Sequence, residues 1–294
     1  MTELVGGNLT FINIPKGSGK TDLKELTSVP KFNFDGELVA DQEKALYSFE
    51  VDGFIYDFLV VRKPKPTGKL FVLLSGAAVG VHLSPPVFQR WKWAEYFPGD
   101  CLYISDPTLR LEAEFKLAWY AGNANHEPLD VVAKLIKLVA GQLHVSLKDV
   151  FCYGSSGGGF AALRLGARMN DIGIVAVNPQ TDITKYEQGS VEKFLRICFN
   201  GISRDEALEQ YPEKMSVARF PERLIDSRII YVQNDLDEHH VSVHQGPFRS
   251  AMESAGPGAG NILWLNFSNA GGHSAAESPE VFTKIINTIT DDGY

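Results

Sequence analysis

The chain has 294 residues, 44% of them hydrophobic and 22% charged, with a formal net charge of −8. That size and balance fit one large α/β domain with a proper core, and the acidic balance disfavours a nucleic-acid or anionic-membrane partner, since both need a basic face. Cys101, Cys152 and Cys198 lack metal-ligand spacing, so buried reduced thiols are expected rather than a metal centre.

Residues 1–40 read as an N-terminal extension ahead of a domain spanning 41–294. Met1–Gly7 carry no basic region followed by an apolar core, and no apolar run nears the roughly 20 residues of a spanning helix. No membrane insertion and a cytoplasmic location are expected. Leu9–Ile14 suggests a strand. Gly17-Ser18-Gly19-Lys20-Thr21 imitates a phosphate loop, but the position that needs the first glycine is Ile14, so a polar surface turn is expected.

Strand-like runs at 45–51 and 54–61 flank Asp52-Gly53, a strong hairpin signal. Leu70–Leu74 is apolar throughout, as in a strand buried on both faces. Strand and helix patterns then alternate: a helix over 87–96, a strand over 100–105, an amphipathic helix over 129–144, a strand over 150–153, a helix over 160–169, strands over 173–177, 228–232 and 262–267, and a closing helix over 282–289. Such alternation implies a mainly parallel sheet covered on both faces. Residues 180–226 interrupt it with helical patches and no strand. They read equally as a rim insertion or as a cap over a site.

The chemistry centres on Phe151–Leu163, where Gly154-x-Ser156-x-Gly158 matches the nucleophile-elbow pattern. A serine hydroxyl that must stand clear of a sheet needs a sharp strand-to-helix turn, and side chains two residues to either side would collide there. The hydroxyl also needs a base, and the base an orienting acid. In such a sheet, acid and base follow the serine in that order, each just past a strand end. The loop after 228–232 supplies Asp237 as the acid, with Asp235 as runner-up and Glu238 third. The loop after 262–267 supplies His273. His239, His240 and His244 are competing histidines expected at the surface or rim. A metal reading of Asp235, Asp237, His239 and His240 rests only on their clustering in one acidic loop, and no cofactor or metal is expected.

An oxyanion hole needs two backbone amides. Gly157, directly after the serine, is one. The loop Ser75-Gly76-Ala77-Ala78 offers Ala77, or alternatively Ala78, as the other. His82, His126 and Ser155 are candidate substrate-binding residues. His126 closes the 119–126 loop, whose aromatic and amide side chains suit a polar or sugar-like ligand.

With elbow, acid loop and histidine loop in this order, residues 45–294 resemble the α/β-hydrolase superfamily. The resemblance rests on Gly154-Ser155-Ser156-Gly157-Gly158, on Asp237 and on Gly271-Gly272-His273. The elbow and the strand end Val175–Gln180 are also similar to bacterial hydrolase-like proteins of polysaccharide or glycoprotein export. The superfamily implies an eight-stranded, mostly parallel sheet with substrate held at the strands' C-terminal edge. It implies a serine hydrolase that cleaves a small-molecule or glycan ester without a cofactor. Two alternatives stand beside it: an acyltransferase that delivers the acyl group to a sugar hydroxyl through the same triad, and a hydrolase fold kept as a non-catalytic assembly or binding component.

Overall fold

The expected hairpin forms. In the computed structural model, Asp52 and Gly53 take left-handed conformations (φ 51° and 78°), turning β2 (Lys44–Val51) antiparallel onto β3 (Phe54–Val61). The structure describes residues 11–15, 26–78, 84–113, 115–169, 171–256, 261–275 and 277–291. His82, the 17–21 turn and the beginning of the expected 9–14 strand lie outside them. Residues 11–15, which are described, carry no strand.

The other strands are β1 (Lys31–Asn33), β4 (Leu70–Leu74), β5 (Asp100–Ile104), β6 (Val150–Ser155), β7 (Gly173–Val177), β8 (Arg228–Asn234) and β9 (Ile262–Phe267). They make one sheet in the order β1-β2-β3-β5-β4-β6-β7-β8-β9. β3 runs antiparallel to β2 and β5, and every other pairing is parallel. The sheet thus has nine strands among the described residues, one more than the resemblance implied. One edge strand, β1, comes from the 1–40 segment and pairs Lys31–Asn33 with Leu46–Ser48.

The continuous apolar runs have a simple reason. All five residues of β4, β5 and β7 are buried, and alternate residues of β4 enter two separate cores: Leu70, Val72 and Leu74 face one, Phe71 and Leu73 the other. Each side chain so buried contributes roughly 1.5–3 kcal/mol relative to exposure. The first core is covered by α1 (Pro128–Gln142), through Leu129, Val132, Leu135, Ile136 and Val139, and by α2 (Gly157–Gly166). The second is covered by the closing helix, through Phe282, Ile285 and Ile289, and by a 3-10 segment at Trp91–Tyr96. This is the α/β-hydrolase architecture, a mostly parallel sheet with helices on both faces.

The 87–96 helix is shorter than its pattern suggested. Arg90 adopts a left-handed backbone (φ 64°), which breaks the run and leaves only the 3-10 segment. Within 180–226 three α-helices form, α3 (Gln188–Cys198), α4 (Arg204–Gln210) and α5 (Pro212–Met215), with 3-10 turns at Ile183–Lys185 and Pro221–Arg223. α3 buries Val191, Phe194 and Leu195, and a single bridge, Asp182 to Ser216, closes the segment. A π-helical turn, His240–Gln245, leads into α6 (Gly246–Ala255), and α7 (Pro279–Asp291) is the last described element. All three cysteines are free and buried. Among the described residues, no helix is long and apolar enough to cross a membrane.

Candidate active site

β6 delivers Ser156 at the sharp turn into α2. Ser156 has φ 54° and ψ −120°, a conformation that costs a non-glycine residue energy and persists only when its surroundings impose it. The motif glycines make the turn possible. A Cβ on Gly154 would lie 2.3 Å from the Gly158 carbonyl, and one on Gly158 would lie 2.4 Å from the Leu74 carbonyl oxygen. Strand, elbow and helix therefore pack backbone to backbone. The Gly157 amide, first in α2, has no intrahelical acceptor and stands at the positive end of the helix dipole.

The loop after β4 packs against the same turn, with the Gly76 Cβ position 3.5 Å from the Ser156 Cβ. Its shape is held by Gln89, whose Oε1 accepts from the Gly76 amide (2.9 Å) and whose Nε2 donates to the Ala77 carbonyl (2.9 Å). The Ala78 amide is consumed by the Lys116 carbonyl at 2.7 Å. Among the described residues, none accepts from the Ala77 amide. Of the two alternatives, Ala77 is the one with an amide to spare.

Asp237 heads the π-helical turn that follows β8, its amide donating to the Asn234 carbonyl and its carbonyl accepting from Val241. The turn sets His240 beside it. Asp237 Oδ2 lies 2.8 Å from His273 Nδ1, and Oδ1 lies 3.0 Å from His240 Nδ1. His240 Nδ1 is also 3.0 Å from Oδ2, so the one carboxylate holds both imidazoles. Burial would raise the Asp237 carboxyl, but His240 and His273 hold it below the usual carboxylate range. Burial and the neighbouring His273 pull His240 down to about 4 against the opposing pull of Asp237. Burial, with His240 and His239 nearby, pulls His244 down to about 3. Asn234 ties the loops together. Its Nδ2 donates to the Asn269 and Gly272 carbonyls (both 2.8 Å), its Oδ1 accepts from the Asn269 amide (3.0 Å), and its own amide donates to Asn178 Oδ1 (2.8 Å).

The loop after β7 contributes Gln180, which is fully buried. Its Nε2 donates to Ser156 Oγ at 2.8 Å and lies 3.0 Å from His240 Nε2, while its Oε1 accepts from Trp119 Nε1 at 3.2 Å. Tyr186 also faces Ser156, and its ring stands edge-on to Trp119. Trp119 and Tyr120 are both left-handed (φ 53° and 54°). The pair is anchored by the Tyr120 amide on Asp106 and by the Tyr120 hydroxyl, which donates to the Ile104 carbonyl and accepts from the Ser75 amide. Ser156 Oγ and His273 are not joined by a hydrogen bond among the described residues. Such contacts are often long without substrate and tighten in the complex.

The other sequence candidates fall elsewhere. The Ser155 hydroxyl accepts from Arg90, whose guanidinium is paired with Glu277 at 2.6 Å. Asp235 is exposed and turned to β9, where its Oδ1 accepts from Asn266 Nδ2 at 2.6 Å. Glu238 and His239 are exposed. His126 stacks on Phe54, with its Nε2 2.6 Å from the Tyr56 hydroxyl at the β2–β3 hairpin, and shares no contact with Ser156. Against expectation, His240 and His244 are not rim residues: both are buried. The π-helical turn places them under the site, and the signal available was their spacing of three and seven residues from Asp237. The signal for Gln180 was its place just past a strand end, in the Val175–Gln180 stretch that carries the narrower resemblance.

Among the described residues, Asp237, His240 and His273 are the group whose donor atoms lie close enough together, within 4.8 Å, to share a cation. The two imidazoles stack, with centroids 4.2 Å apart and planes 19° apart. Both Nδ1 atoms stand at hydrogen-bond distance, 2.8 and 3.0 Å, from oxygens of the one carboxylate. That is the geometry of a hydrogen-bonded fork.

No known protein-family profile matches the chain, and no curated protein sequence matches it. Solved structures do. The capsule O-acetyltransferase of Neisseria meningitidis serogroup A is similar over 83% of this chain and 95% of its own, with a TM-score of 0.61 at 18% identity. Dipeptidyl peptidase 4 of Porphyromonas gingivalis is similar over 84% of this chain but 35% of its own, with a TM-score of 0.61 at 17% identity. The Gap123 glycosylation-associated complex of Streptococcus agalactiae is similar over 85% of this chain and 47% of its own, with a TM-score of 0.57 at 16% identity.

Proposed function

We propose that the chain is a serine-dependent acyl hydrolase that cleaves a carboxylic ester through an acyl-Ser156 intermediate. The observation that carries this reading is the pairing of Asp237 with His273 Nδ1 at 2.8 Å, beside a serine held in the strained elbow conformation. With Nδ1 committed to the carboxylate, His273 Nε2 is the nitrogen left to act as base. Ser156 Oγ attacks the acyl carbon as its proton passes to Nε2. The oxyanion is met by the Gly157 and Ala77 amides. The tetrahedral adduct collapses, Nε2 returns the proton to the departing alcohol, and water repeats the sequence to free the acid. Asp237 stays ionised throughout and stabilises the imidazolium. The substrate proposed is a small-molecule or glycan ester, and the chemistry calls for no cofactor.

A second reading is favoured by one observation. The likeness to the capsule O-acetyltransferase spans nearly that whole chain, whereas the peptidase likenesses span about a third of theirs. In this reading a sugar hydroxyl replaces water and takes the acyl group from Ser156. A fluorophosphonate probe tests what both readings share: wild type should label and Ser156→Ala should not, and equal labelling of the two would sink both. Product analysis with p-nitrophenyl acetate, with and without a sugar acceptor, separates them. Acyl-sugar exceeding free acid would replace hydrolysis by transfer.

A further inference from the structure

Ser156 Oγ has a neighbour that neither reading uses. Gln180 is fully buried, and the orientation of its amide is settled by Trp119. An indole N–H can only donate, so the Gln180 atom facing Trp119 Nε1 at 3.2 Å is the carbonyl oxygen. Both protons of Nε2 then point the other way, one to Ser156 Oγ (2.8 Å) and one to His240 Nε2 (3.0 Å). His240 Nε2 must therefore be an unprotonated acceptor. Its proton sits on Nδ1, where Asp237 Oδ1 accepts it at 3.0 Å. Every donor and acceptor in this second arm from the carboxylate to the serine has one consistent direction.

We infer that Gln180 is a further catalytic residue, holding Ser156 Oγ as a hydrogen-bond acceptor, and that His240 is the positioning residue that keeps it aimed. The inference rests on Ser156 being the nucleophile. A donor on Oγ fixes that atom in the elbow with the hydroxyl's own proton free to turn toward His273, and it offsets the charge Oγ carries as that proton leaves, before the charge passes to the acyl oxygen. No proton leaves Gln180. His240 does not compete as base, because its Nε2 lone pair is already engaged. The groups facing His240 are Asp237, His273, His239, His244, Tyr186 and Gln180. Of these, Asp237 alone favours a charged ring, and burial outweighs it, so His240 remains a neutral acceptor down to about pH 4.

Two measurements on the full chain test this. The first is nitrogen-15 NMR of the histidine side chains, which reads tautomers without any need for turnover. Wild-type His240 should be the neutral Nδ1–H form at pH 7. Gln180→Glu, which presents a carboxylate to Nε2, should protonate His240 on both nitrogens at that pH. An Nε2–H tautomer in wild type, or no change in Gln180→Glu, would overturn the arm. The second is the rate of fluorophosphonate labelling. Gln180→Met and Gln180→Glu should label about 10²-fold more slowly than wild type at pH 8, the order of loss that misplacing a reacting atom brings. Labelling within twofold of wild type, or faster, would overturn the catalytic assignment; faster labelling would make Gln180 a latch. A wild type that fails to label would instead sink the serine reading itself, whatever tautomer the NMR reports.

Discussion

His240 and His273 stack face to face, centroids 4.2 Å apart, each with its Nδ1 on the one carboxylate of Asp237. Two imidazolium rings at that distance would repel strongly, and one carboxylate cannot neutralise both. A working base at His273 therefore requires a neutral His240. His273→Ala should lower kcat by 10³-fold or more, as loss of a triad base generally does, while His240→Asn, which keeps a donor for Asp237, should lose about 10-fold to 10²-fold. Steady-state kinetics on a p-nitrophenyl ester decides it, and the reverse ranking would make His240 the base.

Asp237→Asn should cost about 10⁴-fold in kcat, because an amide that donates to Nδ1 favours the wrong tautomer. Its KM should change little. Asp235→Asn should stay near wild type, since Asp235 is exposed and paired with Asn266. Equal losses in the two variants would show the acid to be wrongly chosen.

Ser155→Ala and Ser156→Ala separate two adjacent hydroxyls. Ser156→Ala should abolish probe labelling. Ser155→Ala removes only one acceptor of Arg90, whose pairing with Glu277 remains, so labelling should persist with a modestly lower unfolding temperature. Intact-mass spectrometry after labelling reads both variants.

Gln89→Leu tests the oxyanion loop from a distance. It leaves the Gly76 amide and Ala77 carbonyl without their partner, and a buried polar group so stranded costs about 1–3 kcal/mol. The loop that presents the Ala77 amide should slacken and kcat should fall by about 10²-fold. Thermal unfolding and kinetics, measured together, should both move.

Stability should depend on pH through the buried histidines. His240 and His244 are held at about 4 and about 3 in the folded chain, against about 6.5 when unfolded. The unfolded chain thus takes up their protons first. Stability should be full above about pH 6.5 and should fall as pH drops toward 4. Asp237 runs in a lower window: its depressed carboxyl contributes above the unfolded value near 4 and loses that contribution only as pH falls further. His244→Gln should flatten the loss between pH 6.5 and 4, and an unfolding midpoint with unchanged pH dependence would refute the assignment.

Much of the scaffold was legible because it depends on local pattern. The apolar runs Leu70–Leu74 and Gly173–Val177 could only be strands buried on both faces, and Asp52-Gly53 could only turn a hairpin. The turn at Ser156 and the meeting of Asp237 with His273 could be anticipated because the order of strand ends orders the loops. β1 could not be, since three residues of mixed polarity carry no period and gain strand geometry only from β2. Gln180 and His240 were not legible either. Their meeting depends on how the β7 and β8 loops lie in space, and His240 sits in a π-helical turn whose spacing departs from the 3.6-residue period.

The clamp that brings the β7, β8 and β9 loops together is made of amides. Asn234 holds Asn178, Asn269 and Gly272 with dipoles rather than charges. Dissolved ions screen charges at a distance but leave short, buried amide contacts almost untouched. The spacing of acid and base should thus be the same in dilute buffer and in molar salt, and any sensitivity of turnover to ionic strength would report the charge of the substrate on its way in.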